Sequence, residues 1–383
     1  MAELSHRPLR IVHAVRAPVG GIIRHILDLA NGQADRGHQI GLITDSLTGG
    51  ARAEAALAEI APRLALGLHR LPIRRAPSPA DLLVWMHFWQ LLGRLKPDVL
   101  HGHGAKAGAF QRSQPYRPSS IRVYTPHGGS LHYPPDTLQG AFYSRLERVL
   151  MNRTDLFLFE SAFARDTYQR IIGTPSGLVR CVFNGVDAAE FDPVETAADA
   201  TDLGYVGEFR KIKGADLLLD AVARLRGAGR PVTLTLGGDG EESAALQAQI
   251  ARLKLGNAVR LLGHVKARDG FAKARLLVVP SRGDSMPYVV IEAAAAGVPM
   301  LAANVGGIPE IFGPHRDGLF APNDPAAMVA AIEAALANPA IAAIRAKALR
   351  QRIFQQFSQN AMVEGVLAGY REAFAGLNKS RVR

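Results

Sequence analysis

Two acids frame the stretch SRGDSMPYVVIEAAAAG (Ser281–Gly297): Asp284 in a loop, and Glu292 inside a run that reads as helix, with seven residues between them. Pro287 suits the first helical position, because its missing N–H is one the helix would leave unbonded. A helix starting there aims free N–H groups and a partial positive charge at whatever lies before it. Glu292 falls about one and a half turns in. The pair can divide the hydroxyls of a phosphorylated ligand, with its phosphate at the helix end. A purely structural reading makes Asp284 a cap and Glu292 a solvated helix charge, and the two acids alone do not decide between these.

Other segments add complementary chemistry. GYVGEFRKIKG (Gly204–Gly214) runs from a strand through a turn to three cations, Arg210, Lys211 and Lys213, ahead of a helix. Arginine offers forked hydrogen bonds and lysine a point charge, which together suit a diphosphate. Gly237-Gly238-Asp239-Gly240 and Asn304-Val305-Gly306-Gly307 each follow a strand-like run. Glycine there permits a tight turn or close approach to a ligand. In the first half, Gly20-Gly21 opens a helix after the first strand, and TPHGG (Thr125–Gly129) follows another. No GxGxxG supports a dinucleotide site. His101-Gly102-His103 hints at metal ligation, but no third ligand at suitable spacing and no Asp-x-Asp occur, so no metal is expected.

These residues need a frame. Strand-like apolar runs (Leu9–Val15, Gln39–Thr44, Asp98–His101, Val123–Thr125, Asp155–Phe159) alternate with helical patterns such as Ile22–Ala34, Asp81–Leu95, Leu138–Leu150 and Ser161–Ile171. The pattern pauses at Asn184-Gly185, crosses an acidic, Ala-rich stretch and restarts at Leu203. Alternation of this kind predicts parallel sheets covered by helices on both faces, with ligands at the carboxyl ends of the strands. The expected organisation is a first domain over 1–183, a linker over 184–202, a second domain over 203–360, and a closing helix over 361–383 that packs back on the first domain.

Composition fits this and excludes other classes. The 383 residues are 48% hydrophobic, ample for two packed cores. The single cysteine, Cys181, excludes a disulfide framework and is expected to be a buried inert thiol. The start, MAELSHRPLR, has no apolar leader-like run, which predicts a cytoplasmic location. Residues 1–183 hold 22 Lys+Arg against 13 Asp+Glu, so they carry +9 of the formal +11. With no zinc-finger, basic-zipper or aromatic RNA-binding motif, nucleic acid is not expected. Anionic lipid, or a lipid-linked phosphate acceptor at the inner face of the membrane, suits the charge better. DLLVWMHFWQLLGRLKP holds both tryptophans beside Arg70, Arg74 and Arg75. It reads as a core helix in preference to an interfacial one.

The run PSRGDSMPYVVIEAAAAGVPMLAANVGGIPEI (Pro280–Ile311), with GEFRKIKG, FNGVD, APVGGIIRHILDLA and DVLHGHGAKAG, closely resembles family 4 glycosyltransferases. These are retaining, nucleotide-sugar-dependent enzymes of the GT-B fold, with two Rossmann-like domains facing a cleft. The likeness spans nearly the whole chain and is strongest to bacterial members that build exopolysaccharide or other surface glycans. It implies a hexosyltransferase using a UDP-sugar in preference to a GDP-sugar, with a glycan or lipid-linked saccharide as acceptor and no cofactor. Catalytic roles fall to His127, Lys213, Arg210 and Asp284. Donor contacts fall to Gly20, Gly21, Gly238, His264, Ser285, Met286, Glu292, Gly306 and Gly307; His103 and Glu160 stand on the acceptor side. Two departures matter. Asp284 occupies the family's first glutamate position, one methylene short, and Glu208 replaces an arginine, leaving Arg210 as its substitute. Two other functions compatible with these residues are a sugar-nucleotide epimerase and a non-catalytic nucleotide-sugar-binding partner of a polysaccharide complex.

Overall fold

The structure, a computed structural model, describes residues 7–115, 117, 119–128 and 136–381. Gly129 of the TPHGG segment and all of the MAELSH start lie outside them. Two compact units emerge: one holds the chain as far as Asn184 and again from Gln359, the other Gly185–Ser358.

The first unit is a seven-stranded parallel sheet of β1 (Arg10–Val15), β2 (Gln39–Asp45), β3 (Gly67–Leu71), β4 (Val99–His103), β5 (Ile121–Thr125), β6 (Leu156–Phe159) and β7 (Leu178–Cys181), in the order β3-β2-β1-β4-β5-β6-β7. The inner strands are apolar on both faces because helices cover both, so they read as unbroken runs without alternation. The order reverses between β1 and β4. There His13 sits opposite His101 and Val15 opposite His103, which puts three buried imidazoles together across two strands.

The second unit is a six-stranded parallel sheet of β8 (Thr201–Val206), β9 (Leu234–Gly237), β10 (Val259–Gly263), β11 (Ala274–Val279), β12 (Met300–Ala303) and β13 (Leu319–Phe320), ordered β10-β9-β8-β11-β12-β13. Its reversal lies between β8 and β11. The loops that leave these two strands carry the cation run and the Asp284 turn.

Four expectations change. The stretch expected as a linker is part of the second unit: Val186 N donates to Phe357 O (2.9 Å), Phe191 is buried, and Val194 N donates to Ala296 O (3.1 Å). Its weak periodicity reflects a coil pinned by individual hydrogen bonds. Cys181 is exposed, not buried, because β7 is an edge strand whose end faces solvent. Pro287 is the N-cap, with an extended ψ of 123°, and the helix proper is Tyr288–Ala295. The tryptophan helix, Asp81–Leu95, buries Val84, Phe88, Leu91 and Leu92, yet Leu82, Leu83, Met86 and Trp89 are exposed. It therefore packs by one apolar face and presents a second.

The last helix, Gln359–Arg381, lies on the first unit. Met362, Val363, Val366, Leu367, Tyr370, Ala373 and Phe374 form a stripe that is buried in the β1–β6 core, and each such large side chain contributes roughly 1.5–3 kcal/mol. Among the described residues no single helix is long and apolar enough to cross a membrane.

Candidate active site

At the β8/β11 reversal the cation loop and the acid loop are bound to each other. Lys213 Nζ lies 2.6 Å from Asp284 Oδ2, with Ser281 Oγ at 3.5 Å from the same oxygen. Arg282, which motif reading passed over, forks onto Asp216 at 2.7 and 2.8 Å and donates to Lys211 O at 2.6 Å. Lys211 Nζ adds a contact to Asp216 at 2.7 Å. Partial burial alone would raise the Asp216 carboxyl, but the hydrogen bonds and charges of Arg282 and Lys211 outweigh it and hold the group down to about 2. The signal for Arg282 in the sequence was its place directly before Gly283-Asp284; nothing there pointed to a partner at Asp216.

Glycine makes this joining possible. Gly214, at φ +75°, would place a Cβ 2.0 Å from Pro280 O, and Gly306, at φ +63°, would place one 1.7 Å from Asp284 O. Gly307 N–H donates to that same carbonyl at 2.9 Å. Gly306 and Gly307 thus hold the backbone of the acid loop, where the sequence suggested ligand contacts. Gly238 likewise serves chain packing, since a Cβ there would meet Gly207 O at 1.9 Å and its N–H donates to Gly263 O at 2.7 Å.

Asp284 does not cap the following helix, which has no side-chain cap. Its carboxylate is turned to Lys213. Glu292 is half-buried between the fully buried Ile291 and Ala293, on the helix whose approach carries Ser285 and the buried Met286. Arg210 stands apart from this knot. It is half-exposed, with Glu208 and Glu241 at 3.9 and 3.8 Å, so it is available to an anion only by leaving two weak surface pairs. His264 is exposed just beyond β10.

The first unit gathers a different set. His13, His25, His101, His103 and His127 lie together, four of them buried and His127 half-buried. Gln33 Oε1 is 2.8 Å from His13 Nε2, His13 Nδ1 is 3.0 Å from His103 Nε2, and His103 Nδ1 is 3.1 Å from His127 Nε2. His101 is held between Tyr370 OH, from the last helix, and Thr125 Oγ1, both at 2.8 Å. Burial drives all five pKa values down, His13 to about 4 and His25 to about 3, with mutual repulsion adding for all but His13. The imidazoles are therefore uncharged near neutrality. His127 has φ +50°, a conformation that costs a non-glycine residue energy and is held only where its surroundings demand it.

Of the first-half candidates, Gly20 (φ +64°) and Gly21 open the exposed start of the helix Gly20–Asp35. His103 has both ring nitrogens engaged and stands behind His127, not on the surface. Glu160 is buried at the end of β6, and Ser161 beside it caps the next helix by accepting from Ala164 N at 3.0 Å. His13, His25 and His101 were not singled out as site residues. His13 and His101 are register partners on neighbouring strands, a relation invisible without the pairing of β1 with β4.

Comparison with known proteins agrees with the geometry. The model described as "Glycosyltransferase Family 4" matches residues 19–190, and that for "Glycosyl transferases group 1" matches 200–338. The chain is 27% identical to the glycogen synthase of Mycobacterium tuberculosis, over 95% of this chain and 94% of that protein. It is 29% identical to D-inositol 3-phosphate glycosyltransferase 1 of Catenulispora acidiphila, over 82% and 77%. Among solved structures, sucrose-phosphate synthase from Thermosynechococcus elongatus superposes with a TM-score of 0.79 at 23% identity, covering 96% of this chain and 99% of that one. Anabaena HepE in complex with UDP-glucose gives 0.76 at 20% identity, covering 96% and 99%.

Proposed function

The chain belongs to glycosyltransferase family 4 and is a glycosyltransferase of the GT-B fold, and from that premise we propose that it transfers a hexose, with retention, from a UDP-sugar to a glycan or lipid-linked saccharide in polysaccharide assembly. The observation that carries this reading is the Lys213–Asp284 pair at the β8/β11 reversal, with Glu292 on the helix that follows. An incoming diphosphate competes for Lys213. As it takes the ammonium, the Asp284 carboxylate is released to accept from a hydroxyl of the transferred sugar. Glu292 takes the ribose hydroxyls. Lys213, Arg210 and the helix amides then stabilise the charge that develops on the departing diphosphate. The bond from the anomeric carbon to the diphosphate breaks, a bond to the acceptor oxygen forms, and the acceptor proton passes to the departing phosphate.

No metal or cofactor takes part in this scheme. UDP is preferred to GDP because two structures of the same fold hold uridine nucleotides, HepE with UDP-glucose and S. aureus TarM with UDP. The first unit binds the acceptor, with His127 against the transferred sugar. We place the enzyme in the cytoplasm, peripherally on anionic membrane. The exposed Leu82, Leu83, Met86 and Trp89 beside the exposed Arg74 and Arg75 support that contact. The test is a melting-temperature screen against nucleoside diphosphates and nucleotide sugars, followed by product analysis with the stabilising donor. A ligand bound only by the folded state raises the midpoint by mass action. Stabilisation by UDP and a UDP-sugar, with α-linked product from an α-linked donor, is expected. Stabilisation only by GDP compounds, or conversion of the donor without acceptor, would replace this reading.

A further inference from the structure

The proposed chemistry uses one of the five clustered histidines of the first unit, and leaves the other four without a role. Three of the five have the makings of a second site. His25, His103 and His127 each offer a ring nitrogen, and these atoms all lie within 4.8 Å of one another. His25 is 3% exposed; its ring hydrogen-bonds the Asn184 side chain, while its Nδ1 is buried without a hydrogen-bond partner among the described residues. A buried polar atom left in this way is costly unless something occupies it.

The neighbouring hydrogen bonds order the lone pairs. With the Gln33 amide oxygen accepting from His13 Nε2–H, His13 Nδ1 is an acceptor and must receive the Nε2–H of His103. His103 Nδ1 is thereby left bare, and it points at His127 Nε2, 3.1 Å away. Two nitrogens bound to one tetrahedral zinc at about 2.0–2.1 Å lie roughly 3.3 Å apart. The observed separation is already close to that value. The His103–His13–Gln33 chain is the outer support that metal-binding imidazoles ordinarily have. His127 is only half-buried and gives the cluster its access to solvent. The other triad, His13, His101 and His103, is enclosed, and His101 is committed on both sides to Tyr370 and Thr125.

We propose that His25, His103 and His127 bind one zinc-class transition-metal ion, and that its occupancy withdraws His127 from sugar transfer. Imidazole is the ligand such ions favour, and three imidazoles leave one coordination position open to water. The ion replaces the His127–His103 hydrogen bond and holds His127 Nε2 itself. No carboxylate joins either group of candidate ligands among the described residues, so the ligand set is three neutral imidazoles with one position left for water. The site is then an inhibitory one, filled when free metal rises. The inhibitory half rests on the proposed role of His127; the binding half does not.

The experiment uses the full chain without an affinity tag, stripped by chelation and dialysis. Zn2+ is titrated in by calorimetry, and Co2+ is followed by its visible absorption, which is much stronger in four-coordinate than in six-coordinate geometry. The expected result is one ion per chain, a four-coordinate cobalt spectrum, and at least tenfold weaker binding in His25→Ala and His127→Ala. His87→Ala, at an exposed position on the Asp81–Leu95 helix, keeps full affinity. His25→Gln, which keeps a polar side chain of similar length, replaces His25→Ala if the latter has lost its melting transition. No saturable binding, or binding that both His25 and His127 variants retain, overturns the site. Zinc should also lower transfer without changing UDP affinity, and EDTA should restore it. Stoichiometric binding with undiminished transfer would leave the site standing and remove His127 from the transfer step.

Discussion

The two units solve the problem of buried polar chemistry in opposite ways. The first concentrates five uncharged imidazoles at its sheet reversal, joined to Gln33, Thr125 and Tyr370. The second places charged groups at the equivalent reversal and pairs them, Lys213 with Asp284 and Arg282 with Asp216, while keeping them partly open to water. A proton added to one of these imidazoles would face strong desolvation and the repulsion of its neighbours. The loops of the second can exchange one partner for another as a charged ligand arrives. The contrast is between a neutral, rigid support and a charged, exchangeable one.

Acid should separate the two most sharply. For His13, folding lowers the pKa from 6.5 to about 4. Its unfolded form therefore binds a proton first as the pH falls, and stability drops between those two values; this residue alone withdraws about 3 kcal/mol. The Asp216 carboxyl is held below 3.8, at about 2, so its contribution is lost only as the pH falls below 3.8. Both tryptophans, Trp85 and Trp89, lie in the first unit. Tryptophan fluorescence should report unfolding between pH 6.5 and 4, while far-UV circular dichroism retains the second unit's share. A single coincident transition below pH 4 would break the comparison.

Lys213→Ala should reduce turnover by about 10²–10³-fold, the effect of removing one group that stabilises developing charge, with affinity for the free nucleoside unchanged. Equal losses of nucleoside and nucleoside diphosphate binding in calorimetry would take Lys213 away from the diphosphate. Glu292→Ala should weaken donor binding about tenfold to a hundredfold, the worth of a charge-assisted hydrogen bond. Donor affinity equal to wild type in the folded variant would remove Glu292 from the site.

The smallest change concerns Asp284. Asp284→Asn keeps the side chain's size and breaks its ion pair with Lys213, freeing the ammonium. Because the pair is partly exposed, nucleoside diphosphate affinity should rise by no more than about fivefold. Transfer should nevertheless fall, since the charged acceptor for the sugar is lost. Unchanged turnover together with unchanged diphosphate affinity would mean that the pair only braces the loop.

The sequence by itself determined the architecture and the family. Buried parallel strands must be apolar along their length, so Leu9–Val15, Gln39–Thr44 and Asp155–Phe159 stand out directly. β3 (GLHRL) and β13 did not, since one is a half-buried edge strand and the other has only two residues. Within the site, residues with unusual chemistry at motif spacing were legible: Lys213, Asp284, Glu292 and His127. Only the tertiary structure decided what they touch. Side-chain partners such as Lys213 and Asp284, Arg282 and Asp216, or Tyr370 and His101 are separated by 71, 66 and 269 residues. Strand pairing and loop closure bring them together, and local sequence constrains neither. The same holds for Gly306 and Gly307: sequence registers that glycine is needed there, but the reason, the Asp284 carbonyl at their backbone, exists only in the fold. The histidine cluster is the clearest case. Beyond His127 in TPHGG and the His101-Gly102-His103 pair, the imidazoles read as ordinary polar residues, and the neutral state and orientation of all five follow from their burial together.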